Sequence, residues 1–551
     1  MESISILIGG KAGDGIRQAG HLIGELFNEL GYWVFVYDDY PSLITGGHNF
    51  CLIRIAENQV QAPQEKIDFL IAFNEETFKK HQSKLKKDAL IITDADAFKT
   101  KNGIGIFMSK IAKQHQLPLF VRNSIILGFL AGLLHLDFSL VEKIIKKIIP
   151  RKIKENIEVA KLGYEEGKKI KNKIKIKKLK KRSKKLLTGN ESIALGAVAA
   201  GLKFYIAYPM TPVTSILHFL AAKQDEFKIK TIQPENEIAV ALMAEGVAYA
   251  GKRVMIGTSG GGFALMVESL SLAGQAEIPI VYVYGQRSGP STGMPTYTSQ
   301  SDLFFVLKAG HGEFLRLVVA PGDADEAFYL TAEAMNLAWR YQIPTFVLTD
   351  KHLSESIFTT VFEMKEIKER RPKIWLGQKN YQRYLITQDG ISPLAFPGGE
   401  AIVKSNSYSH DEFGLTTEEP KKIEEMIKKG LRKRETLIKE LKNKETVKVY
   451  GNRRSKIALI TWGSTKGAVV EVGEKLGLKI IQPLFLEPFP EWAIKKELKN
   501  VKRIIDVEVN AFGQLSDLLK QFGLVVDKKI LKYDGRPFFV EELRERIKKI
   551  L

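Results

Sequence analysis

Short β-rich apolar runs alternate with amphipathic helical stretches along most of this 551-residue chain. Near the start the runs are "ISILIGG", "YWVFVYDDY", "FCLIRIA", "IDFLIAF", "ALIITD" and "PLFVRN". Farther on come "KFYIAY", "RVMIGTS", "IPIVYVYG", "LRLVVAP" and "PTFVLTD", then "SKIALITWGS", "LKIIQPLF" and "VKRIIDVEV". A strand that feeds a helix must bury both against a shared sheet, so the pattern demands α/β architecture with helices on the sheet faces. The chain is too long for one hydrophobic core, and no tandem repeat of solenoid period is present. Three α/β domains are expected, over 1–165, 188–358 and 453–551. A basic linker (166–187) and a charged connecting segment (359–452) separate them. Within the latter, "EEPKKIEEMIKKGLRKRETLIKELKNKE" reads as an exposed helix.

The net charge of +20 is suggestive of nucleic acid until it is located. Lys168–Lys185 holds twelve Lys/Arg and no acid, and without it the excess falls to +8. Ile170, Ile174 and Ile176 fit neither a helical face nor a buried strand, and no aromatics are interleaved for base stacking. The tract therefore reads as a solvated, self-repelling linker rather than a nucleic-acid or membrane arm. The one cysteine, Cys51, sits in a strand-like alternation and reads as a buried small hydrophobe. An iron–sulfur cluster needs about four thiolates, so any cluster must sit on another chain. The first strand follows without a cationic n-region or small-residue cleavage site, so no signal peptide is expected. The longest apolar stretch, "SIILGFLAGLLHLDFSL", is broken by His135 and Asp137 and is too short to span a bilayer; a cytoplasmic protein is expected.

Several glycine- and hydroxyl-rich turns follow strands. "ILIGGKAGDGIRQAG" could cradle an anion at a helix start, but Gln18 stands where a dinucleotide fingerprint needs glycine. Its "GDG" imitates the start of a thiamine diphosphate and magnesium motif without the paired asparagines. Tight strand–helix packing is the simpler reading. In "YPSLITGGHNF" a turn exposing His48 could meet a ligand, although a lone histidine is more often structural. "YPMTPVTS" fixes Thr211 between Pro209 and Pro212, with Thr214 or Ser215 as an expected N-cap. "TSGGGFALMVESLSLAG" is a second glycine turn, and "GQRSGPSTGMPTYTSQSDL" presents Arg287 on a rigid polar loop suited to a carboxylate. Glu237 opens "NEIAVALMAEGVAYAG", a helix that reads as buried over most of its length, where a desolvated carboxyl could share a proton with a bound heterocycle.

These motifs together resemble the α subunit of 2-oxoacid:ferredoxin oxidoreductases with the family's γ domain fused in front. The blocks that carry the resemblance are "YPMTPVTS", "QPENEIAVALMAEGVAYAG", "QRSGPSTGMPTYTSQSDL", "FLRLVVAP" and "PTFVLTDKHLSE". "YPSLITGGHNF" and "VRNSIILGFLAGLL" resemble the γ domain, and "GSTKGAVVE" and "VEVNAFGQLSDLL" the C-terminal domain. The resemblance implies a γ-type domain, a thiamine diphosphate pyrimidine-binding domain and a transketolase C-terminal-like domain. It implies decarboxylation of a 2-oxoacid (2-oxoglutarate favoured), transfer of the acyl group to coenzyme A, and reduction of ferredoxin. A β subunit would supply magnesium, the diphosphate half of the cofactor site and the iron–sulfur cluster. The resemblance assigns Glu237 to the cofactor's aminopyrimidine ring as the catalytic carboxylate. Tyr208, Pro209 and Gly261 are assigned to the cofactor, and Thr211, Arg287 and Thr296 to the substrate. Ser288 replaces the usual glycine, and "TSGGGFALM" departs from the usual serine-glycine-proline order. Two other classes stay open: an NAD-binding oxidoreductase using the first glycine turn, and a basic nucleic-acid scaffold using Lys168–Lys185.

Overall fold

The computed structural model describes residues 3–41, 46–171, 176–179, 184–377 and 380–551. The chain divides into two compact units. The first comprises Met1–Thr188 with two later segments, Glu355–Val361 and Phe538–Glu545. Its eight-stranded sheet runs, in spatial order, Gly103–Ile106, Leu85–Asp94, Ile67–Ala72, Ile4–Lys11, His48–Ala56, Trp33–Asp39, Ile357–Thr360 and Lys185–Thr188. The first four are mutually parallel and the remainder pair antiparallel. Ile357–Thr360 enters this sheet from far along the chain, and the Thr359 hydroxyl accepts a bond from the Val34 amide at 2.8 Å.

"PLFVRN" is not a strand. Leu119–Val121 is a single 3₁₀ turn, and Arg122–Leu133 continues as a helix buried along its whole length. A short apolar run has no period of its own to separate strand from buried helix. Arg122 settles the matter through tertiary bonds, pairing with Asp14 at 2.6 Å and Asp94 at 3.1 Å. This helix packs on Ile153–Lys168 through reciprocal glycines. A Cβ on Gly128 would strike the Ala160 carbonyl, and one on Gly163 the Ile125 carbonyl.

Cys51 is buried, as expected, with its sulfur 2.6 Å from an Asp38 oxygen. His48 is not displayed on a turn. It begins a strand, is buried, and lies 2.9 Å from His81, ring nitrogen to ring nitrogen. Burial and the His48 ring hold the His81 imidazole down to about 3, and burial lowers the His48 imidazole too. The described part of the basic tract is not simply solvated. Ile170, Ile176 and Leu179 pack on the first unit's core, and the Tyr32 hydroxyl donates to the Lys177 carbonyl at 2.8 Å. Residues 42–45 of the His48 turn, and 172–175 (with Ile174) and 180–183 of the tract, lie outside the described residues.

The second unit comprises Gly189–Ser354, Phe362–Pro537 and Arg546–Leu551. Its seven-stranded sheet runs Phe485–Glu487, Leu317–Val319, Thr345–Asp350, Val281–Gln286, Val254–Thr258, Phe204–Ile206 and Lys230–Ile232, parallel except for the first edge strand. A five-stranded sheet runs Val447–Gly451, Lys479–Pro483, Ile457–Ile460, Arg503–Glu508 and Lys528–Leu531, again parallel except at the first edge. "LKIIQPLF" is therefore two strands in two sheets, broken at Leu484.

The helix of the charged segment, Pro420–Leu441, is not exposed all round. Lys429 and Lys433 are buried on it and grip Glu277 at 2.6 and 2.8 Å. Burial pushes the Lys433 ammonium down to about 8 despite that partner.

Candidate active site

In the seven-stranded sheet the chain passes from Phe204–Ile206 outward to the edge strand Lys230–Ile232. It then returns to Val254–Thr258 on the opposite side of Phe204–Ile206. The crossovers thus diverge between Phe204–Ile206 and Val254–Thr258. The crevice beyond the carboxyl ends of such strands is where open α/β sheets hold ligands. Two loops and a helix start meet there: Tyr208–Pro212, the loop after Gln286, and Gly260–Gly262, which form no separate turn but open the helix Gly260–Gln275.

Glu237 begins the helix Glu237–Tyr249, capped by the Asn236 side chain, which accepts from the Ala239 amide at 2.9 Å. The Glu237 side chain is 5% exposed and lies against the start of the helix Gly260–Gln275. A Cβ on Gly262 would stand 2.6 Å from Glu237 Oε1 and collide with the Thr258 hydroxyl. Thr258 Oγ1 in turn reaches Met210 Sδ at 3.9 Å. Beside Met210, the Thr211 carbonyl accepts from Arg287 Nη1 at 3.0 Å. Gly262 thus separates Glu237 from Thr258, and contacts run on from Thr258 through the proline turn to Arg287. The turn is pressed flat on Gly285, where a Cβ would meet Pro212 Cγ at 2.8 Å.

Burial depresses the Arg287 guanidinium, while Tyr284 and Asp302 oppose that shift. Asp302 accepts from the Tyr284 hydroxyl at 3.0 Å, and burial raises its carboxyl. Among the described residues no carboxylate pairs directly with Arg287, and the buried hydroxyls of Thr296 and Ser259 have no hydrogen-bond partner. A half-buried cation beside the crevice, with unspent hydroxyls at the end of the strand Val254–Thr258 and in the loop that carries Arg287, suits an anionic, hydrogen-bonding ligand. Tyr208 is 38% exposed at the crevice mouth, and a Cβ on Gly261 would meet nothing, leaving that side open.

The family model described as "Pyruvate flavodoxin/ferredoxin oxidoreductase, thiamine diP-bdg" matches residues 195–429, and one described as "Pyruvate ferredoxin/flavodoxin oxidoreductase" matches residues 5–166. A 2-oxoacid:ferredoxin oxidoreductase subunit alpha from Saccharolobus solfataricus is 33% identical, over 100% of this chain and 98% of its own length. The chain belongs to this family. The 2-oxoglutarate synthase subunit KorA from Methanocaldococcus jannaschii is 32% identical, over 66% of this chain and 98% of its own length. Among solved structures, the 2-oxoglutarate:ferredoxin oxidoreductase from Magnetococcus marinus with 2-oxoglutarate, coenzyme A and succinyl-CoA bound superposes with a TM-score of 0.90. It is 29% identical and covers 100% of this chain and 99% of that one.

Two local expectations at this site need correction. The helix Thr214–Ala222 is capped by Val213 without a side-chain bond, because Ser215 Oγ accepts from Asn190 instead, at 2.8 Å. The helix carrying Glu237 is not buried over most of its length: Ile238, Leu242 and Met243 are 46%, 46% and 39% exposed. Together with Leu265 on the neighbouring helix Gly260–Gln275, they leave an apolar face open beside Glu237. The first glycine turn is closed by its own carboxylate. Asp14 accepts from the Lys11 amide at 2.8 Å and pairs with Arg122, which disfavours a second anion there.

Sequence reading singled out Gly261 and passed over Thr258, Gly262 and Asp302. The only local signal for them was the run of three glycines and the end of the "TSQSDL" block. The helix Glu237–Tyr249 also carries Glu245, buried with Oε1 unpartnered. Burial, with Glu268 nearby, pushes its carboxyl from 4.5 up to about 8. Such a group stabilises the fold in its protonated form. That contribution is whole below about pH 4.5 and is lost as pH rises through about 8. Glu245→Gln should therefore raise the melting temperature by about 3 °C or more near pH 9 and change it little near pH 5. Equal shifts at both pH values would refute the burial of a neutral carboxyl.

Proposed function

We propose that this chain is the catalytic α subunit, with a fused γ domain, of an enzyme that oxidatively decarboxylates a 2-oxoacid, 2-oxoglutarate by preference. The products are carbon dioxide and the acyl-coenzyme A thioester, and the electron pair passes to ferredoxin. The observation that carries the reading is Glu237, buried at the switch-point crevice and held against Gly262 and Thr258. Thiamine diphosphate, when bound, supplies the electron sink for decarboxylation.

This chain's residues fit the pyrimidine half of that cofactor. Glu237 offers a desolvated carboxylate to a ring nitrogen and exchanges a proton with it. Tyr208, Pro209 and Gly261 border the open side by which a ring can approach. Arg287 and the unpartnered Thr296 hydroxyl offer the substrate carboxylate a charge and a donor, and Thr211 orients Arg287 through its carbonyl. A second subunit brings magnesium, the diphosphate contacts and the iron–sulfur cluster, since Cys51 alone cannot ligate one. It seats on the apolar face of Ile238, Leu242, Met243 and Leu265, which excludes water from the crevice once covered.

The test is co-expression with the neighbouring subunit and an assay of coenzyme A-dependent dye reduction over 2-oxoglutarate, pyruvate, branched-chain and aryl 2-oxoacids. Turnover with 2-oxoglutarate fastest is expected. Arg287→Ala should raise the KM for the 2-oxoacid about tenfold to a hundredfold, the worth of one charge-assisted carboxylate contact. A cluster-loaded complex that turns over no 2-oxoacid would sink the proposal.

A further inference from the structure

The five-stranded sheet has a switch point of its own. From Ile457–Ile460 the chain crosses to Lys479–Pro483 on one side, and then back to Arg503–Glu508 on the other. The crevice beyond these carboxyl ends, bounded by Trp462–Thr465 and Val509–Asn510, is where such a sheet would hold a small ligand. It is filled by a side chain of the same protein.

Gln300, in the loop that carries Arg287 and Thr296, is 1% exposed in this crevice. Its amide nitrogen donates to the Trp462 carbonyl at 2.8 Å, and its amide oxygen accepts from the Thr465 hydroxyl at 2.6 Å and the Val509 amide at 3.1 Å. Its backbone N–H donates to the Val509 carbonyl at 2.7 Å, and its carbonyl accepts from Asn510 Nδ2 at 3.0 Å. The crevice is shaped for this contact: Gly463 has φ +56, and a Cβ there would stand 2.7 Å from Gln300 Nε2. Asn510 and Trp462 are themselves fixed by buried Glu508, which accepts from both, at 2.8 and 2.9 Å.

The loop is gripped on either side of Gln300 as well. The Thr298 amide donates to the Gly535 carbonyl at 3.0 Å, and the Arg536 guanidinium covers the Tyr297 ring at 3.7 Å. Gln514 Nε2 donates to the Ser301 carbonyl at 2.5 Å. At its base, the Asp302 amide closes the loop onto Gln286 Oε1 at 3.1 Å. Within it, the Ser288 amide donates to the Tyr297 carbonyl at 3.1 Å, so order imposed at Gln300 reaches the residue next to Arg287.

We propose that Gln300 is a positioning residue for the 2-oxoacid: by filling the switch-point crevice of the C-terminal sheet it fixes the loop that presents Arg287 and Thr296. The C-terminal sheet thereby sets affinity for a substrate it does not touch. This rests on the reading that the loop binds the substrate carboxylate, and the variants below separate the two.

In the assembled enzyme, Gln300→Met preserves length and removes every side-chain bond. It should raise the KM for 2-oxoglutarate about tenfold while the KM for coenzyme A moves less than about twofold. Trypsin should cut at Arg287 faster in this variant. Thr465→Val removes one donor from Gln300 and should raise the same KM about threefold, whereas Thr465→Ser, which keeps the hydroxyl, should match the wild type. If Gln300→Met fails to assemble, the Thr465 pair decides. An unchanged KM for 2-oxoglutarate in assembled Gln300→Met, equal rises for both substrates, or no difference between Thr465→Val and Thr465→Ser overturns the proposal. An unmoved KM in Arg287→Ala beside a raised KM in Gln300→Met overturns the carboxylate reading of Arg287 and supports the positioning by Gln300.

Discussion

Glu237→Gln should remove turnover, by about a thousandfold or more, and leave the fold and subunit assembly intact. The substitution keeps the shape of a side chain that is 5% exposed and pressed against Gly262, so packing at the crevice is preserved. The helix start is also unharmed, because its cap belongs to Asn236. What disappears is the ionisable proton, the one property a carboxyl has and an amide lacks. Thermal melts, subunit stoichiometry and thiamine diphosphate binding should stay close to wild type while coenzyme A-dependent dye reduction vanishes. Glu237→Asp tests reach instead of charge. One methylene shorter, it withdraws the carboxylate and should lose about a hundredfold. Turnover above about a tenth of wild type in Glu237→Gln would show that the proton is handled elsewhere.

Gly128→Ala should be the most damaging single methyl in the first unit. The added Cβ would overlap the Ala160 carbonyl, a backbone atom that cannot turn aside. The two helices must move apart, yet Gly132, Gly163 and Gly167 hold them equally close along the same seam. A loss of about 3 kcal/mol is expected, the upper part of the overpacking range. Gly163→Ala should act alike, and the two together should cost less than their sum, because one separation of the helices relieves both clashes. Gly430→Ala is the control. It too lies within a helix, but its Cβ would meet nothing within 4 Å, so alanine's helix propensity should stabilise it by up to about 1 kcal/mol. Denaturant melts of the three single variants and the double check this; Gly128→Ala no less stable than wild type would mean that the helix seam is loose.

The α/β pattern was legible because its determinants are local. Apolar runs bounded by glycine and proline turns read as strands wherever flanking helices showed their own period, and the loops after Ile206 and Gln286 could be identified from composition alone, whereas the glycines after Thr258 open a helix directly. The sequence failed where neighbours decide. "PLFVRN" became a turn and helix because Arg122 bonds to Asp14 and Asp94, which lie far from it in sequence. Lys429 and Lys433 look like a solvated face until Glu277 is placed between them. The apolar helix after Glu237 looks buried, yet half its face is uncovered in this chain.

By itself, then, the sequence determined the class of architecture, the strand-end turns and the residue types able to do the chemistry, because these follow from chain periodicity and side-chain identity. Tertiary structure alone decided that Glu237 meets Gly262, that Arg287 hangs from Thr211, and that "LKIIQPLF" divides between two sheets. It also decided that Gln300 enters a crevice some two hundred residues away in sequence. Such contacts are set by sheet order and crossover direction, which bring together residues whose separation along the chain carries no trace of their proximity.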